Sequence, residues 1–331
     1  MGTPLFTLNR PVLAHFARQW FLYSLALTLG VGLCFSPHFA TVVDAHRVRD
    51  GIVMVVLFLT ALTLNPESIA AAFRRPGATL LAVAINYGLV PLSAWALSFA
   101  LHPELGLGLI VTATVPCTVA SAAVWTRRAG GNDAIAILVT AATNLGCFVV
   151  TPLWLRWTTQ HADVEIALMP MIIKLAYLIL IPILLAQACR LHPSIRALAS
   201  DRKSGIGMIC QLGILSILFA GAVNCGLRLR DPGLATNRVG WLDFGLMFIS
   251  VAILHTASLF AGQRIGKLSG LVREEWIAVG FAGSQKTLMI GLQVALMVGG
   301  GLTILPMVTY HVAQLLIDTV AADWLRTSDS P

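Results

Sequence analysis

The sequence has little charge for its length. Asp, Glu, Lys and Arg make up 11% of its 331 residues, whereas soluble domains carry about 25%. Hydrophobic residues reach 57%, so a water-soluble fold would have too few charged side chains to cover its surface. The composition excludes an ordinary soluble enzyme and predicts a single integral membrane domain over residues 1–331.

The short motifs of enzymes and metal sites are also missing. There is no HExxH, no GxSxG and no pair of aspartates within an apolar run, so we predict no catalytic group and no metal centre. Six cysteines occur without a CxxC pair, which argues against disulfides and metal ligation. The net charge of +7 comes from short basic clusters rather than a basic stripe. We therefore expect no enzyme, no cofactor and no nucleic-acid partner.

Long apolar runs dominate what remains. A membrane-spanning helix needs about 20 mostly apolar residues, and charge clusters and Pro/Gly turns divide the chain into ten such runs. These predicted spans are 20–36, 51–66, 78–101, 105–126, 133–157, 166–190, 206–228, 241–262, 277–298 and 301–325. Most Lys and Arg residues fall in the loops on the side of both termini, which the positive-inside rule assigns to the cytoplasm.

Ten spans divide into two halves of five. Because each half has an odd number of spans, the second half would lie upside down relative to the first, which is the inverted-repeat arrangement of secondary transporters. We predict repeat one over about 20–157 and repeat two over about 166–325. Substrate sites in such folds form near the midplane where corresponding helices are broken, and spans four and nine both carry polar interruptions.

Span four is interrupted by Pro116, with Thr118 and Ser121 following it. A proline removes a backbone hydrogen bond and clashes with the preceding turn. One interpretation is a kinked helix whose hydroxyls bond back to carbonyls, and the other is a broken helix at a substrate site.

Span nine places Ser284, Gln285, Lys286 and Thr287 consecutively at its middle. Four successive polar residues cover the whole circumference of a helix, and a lysine at the bilayer centre costs about 3 kcal/mol or more. This segment must therefore face protein or a water-filled cavity. The alternative to a transport role is that Lys286 pairs with a helix dipole or a carboxylate and only holds two helices together.

Polar stripes occur on two other spans. Thr140 and Asn144 share one face of span five and could supply oxygens to an ion, or form ordinary interhelical hydrogen bonds. His311, Gln314 and Asp318 share one face of span ten in the same way, and the alternative for Asp318 and Asp323 is simple solvation near the cytoplasmic end.

Two isolated polar residues lie in the remaining apolar runs. Asn86 in span three could line the cavity or pack between helices. A lone His255 in span eight is more typical of a structural histidine than of a proton carrier.

Three motifs in order resemble the bile acid:sodium symporter superfamily, and in particular its SBF-like orphan branch. They are CTVASAAVWTRRAGGNDAIAILVTAATN at 117–144, GSQKTLMIGL at 283–292 and LPMVTYHVAQLL at 305–316. The resemblance runs from about span two to the end of the chain. It implies a ten-helix fold with a panel and a core domain, in which the unwound middles of spans four and nine cross.

Classical members of that superfamily bind two sodium ions at the crossing. Their ligands in spans four, five and nine fall here on Ser121, Thr140 and Gln285, which keep an oxygen. Their span-four asparagine and span-five serine fall on Ala122 and Ala136, which have none.

Three further positions depart from the classical pattern. The span-three glutamine falls on Asn86, the coordinating glutamate of span nine falls on Phe281, and the asparagine after Gln285 becomes Lys286. Because an anionic ligand is lost and an ammonium appears, these departures argue against the two-sodium mechanism. We interpret Lys286 as a replacement for the cation that could also carry a proton, which leaves sodium-coupled, proton-coupled and uncoupled transport open.

The leading hypothesis is a secondary active transporter that moves an organic anion by alternating access. Its expected substrate contacts are Lys286, Ser284, Gln285, Thr287, Thr118, Ser121 and Asn86, and its expected ion-site or coupling residues are Thr140, Asn144, His311 and Gln314. The alternative is a non-transporting membrane regulator that keeps the transporter fold. With no organelle-targeting segment evident, we expect the plasma membrane or a bacterial inner membrane.

Overall fold

The computed structural model describes residues 10–42, 44–63, 76–118, 121–159, 166–231 and 239–327. All regular secondary structure in these ranges is helical, which confirms the all-α prediction. The helices are α1 (Arg10–Cys34), α2 (His46–Leu62), α3 (Pro76–Ala84), α4 (Val90–Ser98), α5 (Pro103–Thr114), α6 (Ser121–Arg128), α7 (Asp133–Thr158), α8 (Leu168–Arg190), α9 (Pro193–Asp201), α10 (Lys203–Leu229), α11 (Trp241–Leu268), α12 (Arg273–Ser284), α13 (Leu288–Val298) and α14 (Ile304–Thr327). A π-helical turn (Ile85–Leu89) joins α3 to α4, and 3-10 turns cover Ser36–Val42 and Gly301–Thr303.

Six helical segments among the described residues are long and apolar enough to cross a membrane. They are Pro76–Ser98, Asp133–Thr158, Leu168–Arg190, Lys203–Leu229, Trp241–Leu268 and Gly301–Thr327, and they match predicted spans three, five, six, seven, eight and ten. The stretch Trp20–Cys34 together with Ser36–Val42 gives a seventh if the pair, bent by 100°, is one span. The protein is therefore an integral, multi-pass membrane protein.

The three other predicted spans are shorter helices. Span two corresponds to α2, which has 17 residues. Span four is divided between α5 and α6, and span nine between α12 and α13. None of these helices is by itself long and apolar enough to cross a membrane, so the ten-span count and the inverted repeats stay predictions.

The helices pack in two groups. In the first, α1 packs on α10, and α2 packs on both α8 and α10. In the second, α11 packs on α12 and α14, while α12 also contacts α3, α6 and α7. The broken pairs α5–α6 and α12–α13 lie at the centre, where the second group meets the first through α13 and α10.

Close packing of α5 against the start of α14 depends on Gly108. A Cβ atom at this position would lie 2.4 Å from the backbone oxygen of Thr303 and 2.9 Å from the ring of Pro306. Neither neighbour is the flexible end of a side chain, so we expect Gly108→Ala to destabilise the protein by about 1–3 kcal/mol. Thermal unfolding in detergent measures this. Gly245→Ala is the control because a Cβ atom there meets nothing within 4 Å, and equal melting temperatures for the two variants would refute the packing argument.

Candidate functional site at two broken helices

The first break follows Pro116. α5 ends at Thr114 and α6 begins at Ser121. Val115 is extended (φ −76°, ψ 160°), as expected for the residue before a proline, and Pro116 has no N–H to continue the helix. Proline chemistry therefore ends the helix, and the predicted interruption is a break rather than a kink.

The second break lies between α12 and α13. Gln285 (φ −71°, ψ 145°) and Thr287 (φ −82°, ψ 123°) are both extended, so three of the four residues in the polar run of span nine, 285–287, lie outside the helices. The N–H of Thr287 donates to the carbonyl of Pro116 at 2.9 Å. The two breaks are thus in direct backbone contact.

Each break frees carbonyl oxygens that would otherwise accept intrahelical hydrogen bonds, and such groups are costly inside a membrane unless side chains bond to them. At the first break three of the donors come from α7. Thr151 donates to Thr114 O at 2.8 Å, Thr140 donates to Thr118 O at 2.9 Å, and Asn144 donates to Cys117 O at 3.1 Å. The polar stripe of span five therefore satisfies the carbonyls of the broken span four.

Lys286 carries the charge at the crossing. Its Nζ lies 2.7 Å from Asn86 O, 3.0 Å from Asn86 Oδ1 and 3.0 Å from Val115 O, and the side chain is fully buried. An ammonium has three N–H donors, and these three oxygens account for all of them. Nζ also lies 5.9 Å from the centre of the Tyr87 ring. The lysine thus bridges the first break to the π-helical turn.

The π-helical turn explains why Asn86 O is available to Lys286. In a π-helix the carbonyl of residue 86 would accept from the N–H of residue 91, but that residue is Pro91, which has no N–H. The Asn86 amide also bonds to the end of α12 and the residue after it, since the two hydrogens of Nδ2 are shared among Ala282 O, Gly283 O and Gln285 O at 3.1–3.2 Å. One short turn therefore holds the lysine and the second break together.

Gln285 connects three elements. Its Oε1 accepts from the hydroxyls of Thr118 at 2.6 Å and Ser121 at 2.8 Å, and these two hydroxyl oxygens are 2.6 Å apart. We call these three atoms the oxygen cluster. Two hydroxyls supply two hydrogens for three contacts, so one contact has no hydrogen in it. On its other side, Gln285 Nε2 donates to Asp318 Oδ2.

A buried group beside Gln285 was underestimated from the sequence. Asp318 is fully buried and lies 2.8 Å from His255 Nε2, which excludes the alternative of a solvated Asp318. α14 continues well past it to Thr327, which keeps Asp318 inside the protein. His255 Nδ1 lies 3.2 Å from the hydroxyl of Tyr310, which donates to Ser284 O at 2.6 Å. The sequence signal for the burial of Asp318 was its position on the same helix face as Gln314.

The side chain of Gln314 forms hydrogen bonds with both backbone groups of Lys286. Its Oε1 accepts from Lys286 N at 3.0 Å, and its Nε2 donates to Lys286 O at 3.1 Å. His311 lies one contact further from the break. Its Nδ1 is 3.0 Å from Gln314 Nε2. Of the four residues predicted for ion binding or coupling, Thr140, Asn144 and Gln314 contact the breaks directly.

The residues predicted to contact substrate lie together at the crossing, where Ser121 and Thr287 are partly exposed and the others are buried. Asn86, Ser284, Gln285 and Lys286 are fully buried in this conformation. The position of the classical glutamate, Phe281, is also fully buried, in a hydrophobic cluster with Leu259 and Ile277, and supplies no oxygen. No group of three or more His, Cys, Asp or Glu residues suited to a metal occurs in the described ranges.

A multi-pass helical protein in which two broken helices meet at a buried polar centre has the architecture of a membrane transporter. The profile of the SBF-like CPA transporter family matches residues 19–327. The chain belongs to this family, which confirms the resemblance drawn from the motifs, and it is a transporter rather than an enzyme.

Named relatives agree with this assignment. A probable sodium/metabolite cotransporter, BASS4, chloroplastic, of Arabidopsis thaliana is 30% identical over 95% of this chain and 74% of its own length. Sodium/bile acid cotransporter 7 of Danio rerio is 23% identical over 96% of both chains. The uncharacterized sodium-dependent transporter YocS of Bacillus subtilis is 27% identical over 84% of this chain and 79% of its own length.

Proposed function

We propose that the protein is a secondary active transporter that moves an organic anion by alternating access around the contact between the two breaks. The observation that supports it most directly is the buried ammonium of Lys286 at that contact. Transporters of this kind bind solute and coupling ion at the midplane, where helix ends and freed carbonyls meet. A fixed positive charge there favours an anionic solute over a cationic one.

Lys286 acts in this proposal as a tethered cation. Its three donors are occupied by protein oxygens, so a substrate that contacted Nζ directly would have to open one of these bonds. The ammonium instead offsets the dipoles of the freed carbonyls, as a bound cation would, and remains in place throughout the transport cycle. The substrate contacts proposed above then act from the break backbone and from the hydroxyls of Thr118 and Ser121.

The coupling ion in this proposal is a single sodium ion at the oxygen cluster. Named relatives are sodium cotransporters, and Thr118, Ser121 and Gln285 bring together three neutral oxygens with one contact free of hydrogen. Thr140 and Asn144 hold the neighbouring carbonyls in position. Lys286 takes the place of the second sodium ion of classical members.

The proposed topology follows the inverted-repeat prediction. The group formed by α1, α2, α8 and α10 corresponds to the panel, and the group that carries both breaks corresponds to the core. We propose ten spans with both termini in the cytoplasm and a rocking motion of core against panel.

Uptake into proteoliposomes tests the function. With an inward sodium gradient, we expect at least one labelled carboxylate or sulfonate to accumulate above protein-free vesicles, with a Hill coefficient for sodium near one. Ser121→Ala should reduce the sodium dependence, whereas Ser216→Ala, an exposed serine that bonds within α10, should not. Absence of uptake by correctly folded protein would favour the non-transporting regulator, and a Hill coefficient near two would exclude the single ion site.

A further inference from the structure

A second polar region lies away from the crossing, at the ends of three helices. A cavity of about 400 Å³ is lined by the start of α2, the start of α8 and the end of α13. We call it the anion cavity. Its polar wall is formed by His46, Arg49 and Lys174, and its apolar wall includes Met171 and Leu296.

Arg49 is the unusual member of this wall. The residue is 6% exposed, one terminal nitrogen contacts His46 Nδ1 at 2.8 Å, and Nε has no hydrogen-bond partner among the described residues. The neighbouring carboxylate, Asp50, is already shared by Lys174 Nζ at 3.3 Å and Gln293 Nε2 at 2.7 Å. A buried guanidinium without a hydrogen-bonded anion is costly, so this geometry favours binding of one.

We propose that the anion cavity binds the carboxylate or sulfonate group of a small organic anion through Arg49. A guanidinium binds such groups through its planar N–H donors, and Arg49 lines the cavity and has a donor, Nε, without a hydrogen-bond partner among the described residues. The inference rests on the proposed function only in taking the bound anion to be the transported solute.

Charge and shape define the class of ligand. His46 Nδ1 accepts from Arg49, so the ring is neutral, and the charge of Lys174 is offset by Asp50. The charge of Arg49 is therefore the one positive charge of this wall that is not offset. It matches a ligand with a single negative charge, a monoanion. The apolar wall and the cavity volume suit a compact apolar body attached to that single anionic group.

The anion cavity is connected to the second break. Gln293, which bonds to Asp50 in α2, lies in α13, the helix that begins directly after Gln285, Lys286 and Thr287. An anion bound against Arg49 therefore touches the end of the helix whose start is fixed at the crossing. In the predicted topology this end faces away from the cytoplasm, where solute would enter.

Benzoate is a suitable probe because it has one carboxylate on a compact apolar ring, and benzamide is its uncharged analogue. We would measure thermal stability in phosphatidylcholine nanodiscs against millimolar benzoate, with potassium chloride at matched ionic strength. A ligand that binds only the folded state raises stability in proportion to its affinity. Wild type should be stabilised by benzoate and not by benzamide.

Two variants in the same helical turn locate the site. Arg49→Gln should weaken the apparent benzoate affinity by about tenfold or more, whereas Arg47→Gln, which removes the same charge from an exposed position, should change it less than about twofold. Arg49→Lys keeps the positive charge but not the planar guanidinium, so its apparent benzoate affinity should lie between those of wild type and Arg49→Gln. Because the charge is kept, this variant also serves as a control for folding. Equal affinities for the two glutamine variants, or no stabilisation of wild type by benzoate, would overturn the proposal.

A lipid headgroup is the other source of an anionic group, and a parallel experiment separates it. Adding phosphatidylglycerol to the nanodiscs without benzoate should leave the difference between wild type and Arg49→Gln unchanged. An Arg49-dependent stabilisation by phosphatidylglycerol, with none by benzoate, would assign the cavity to lipid and overturn the solute site. Benzoate binding through Arg49 without uptake of any anion would instead refute the proposed transport function and leave the site intact.

Discussion

Lys286→Ala is expected to abolish anion transport and to destabilise the protein by about 1–3 kcal/mol, the cost of leaving buried acceptors without their donor. The reason is that Asn86 O, Asn86 Oδ1 and Val115 O lose their donor together, inside a region that water does not reach. The first break also loses its connection to the π-helical turn. Uptake by proteoliposomes and thermal unfolding measure the two effects.

Two further variants show which property of Lys286 causes the loss of transport and stability. Lys203→Ala removes the same side chain from an exposed position at the start of α10 and should leave both uptake and stability close to wild type. Lys286→Asn restores the residue type of classical members and removes the charge while keeping a side-chain amide. Full transport by Lys286→Ala would show that the ammonium is dispensable and would refute its role as a tethered cation.

Asp318→Ala should also have a large effect. It leaves Gln285 Nε2 and His255 Nε2 without their carboxylate, and Gln285 is the side chain that orients the oxygen cluster. We expect a loss of about 2–5 kcal/mol in stability and loss of transport. Asp318→Asn separates the two causes, since an amide of the same shape can still accept from Gln285. Uptake retained by the amide variant would assign Asp318 to hydrogen bonding rather than to charge.

Asp323→Ala provides the matched control in the same helix. Asp323 pairs with Arg128 at 2.7 Å, and both side chains are partly exposed, so its removal should cost only about 0–1 kcal/mol. The comparison is measured by thermal unfolding of the two alanine variants. Equal destabilisation would contradict the distinction between a buried and a surface aspartate.

Local sequence rules account for the helices and for both breaks. Apolar runs of sufficient length predicted the spanning helices, and the missing N–H of Pro116 predicted an interruption of span four, with a kink and a break both left open. The run Ser284–Thr287 was recognisable because no face of a helix can hide four successive polar residues. These signals lie within one segment of the chain, so a single sequence is enough to identify them.

Partners that are distant in sequence could not be predicted. Lys286 and Asn86 are 200 positions apart, and the sequence alone left open whether Lys286 pairs with a dipole or a carboxylate. His255 and Asp318 are 63 positions apart, and each taken separately resembled an ordinary structural or solvated residue. Only tertiary packing reveals that Asp318 is buried and that the stripe of α7 bonds to the carbonyls freed in α5.

In the proposed mechanism, Lys286 takes the place of a bound cation at the crossing. The most direct test is the melting temperature of purified wild type and Lys286→Ala in sodium chloride and in potassium chloride at matched ionic strength. Removing Nζ vacates a space lined by three oxygens, and an ion that binds only the folded state raises its stability. The proposal predicts a larger sodium-specific stabilisation in Lys286→Ala than in wild type. The same sodium effect in both proteins would contradict it.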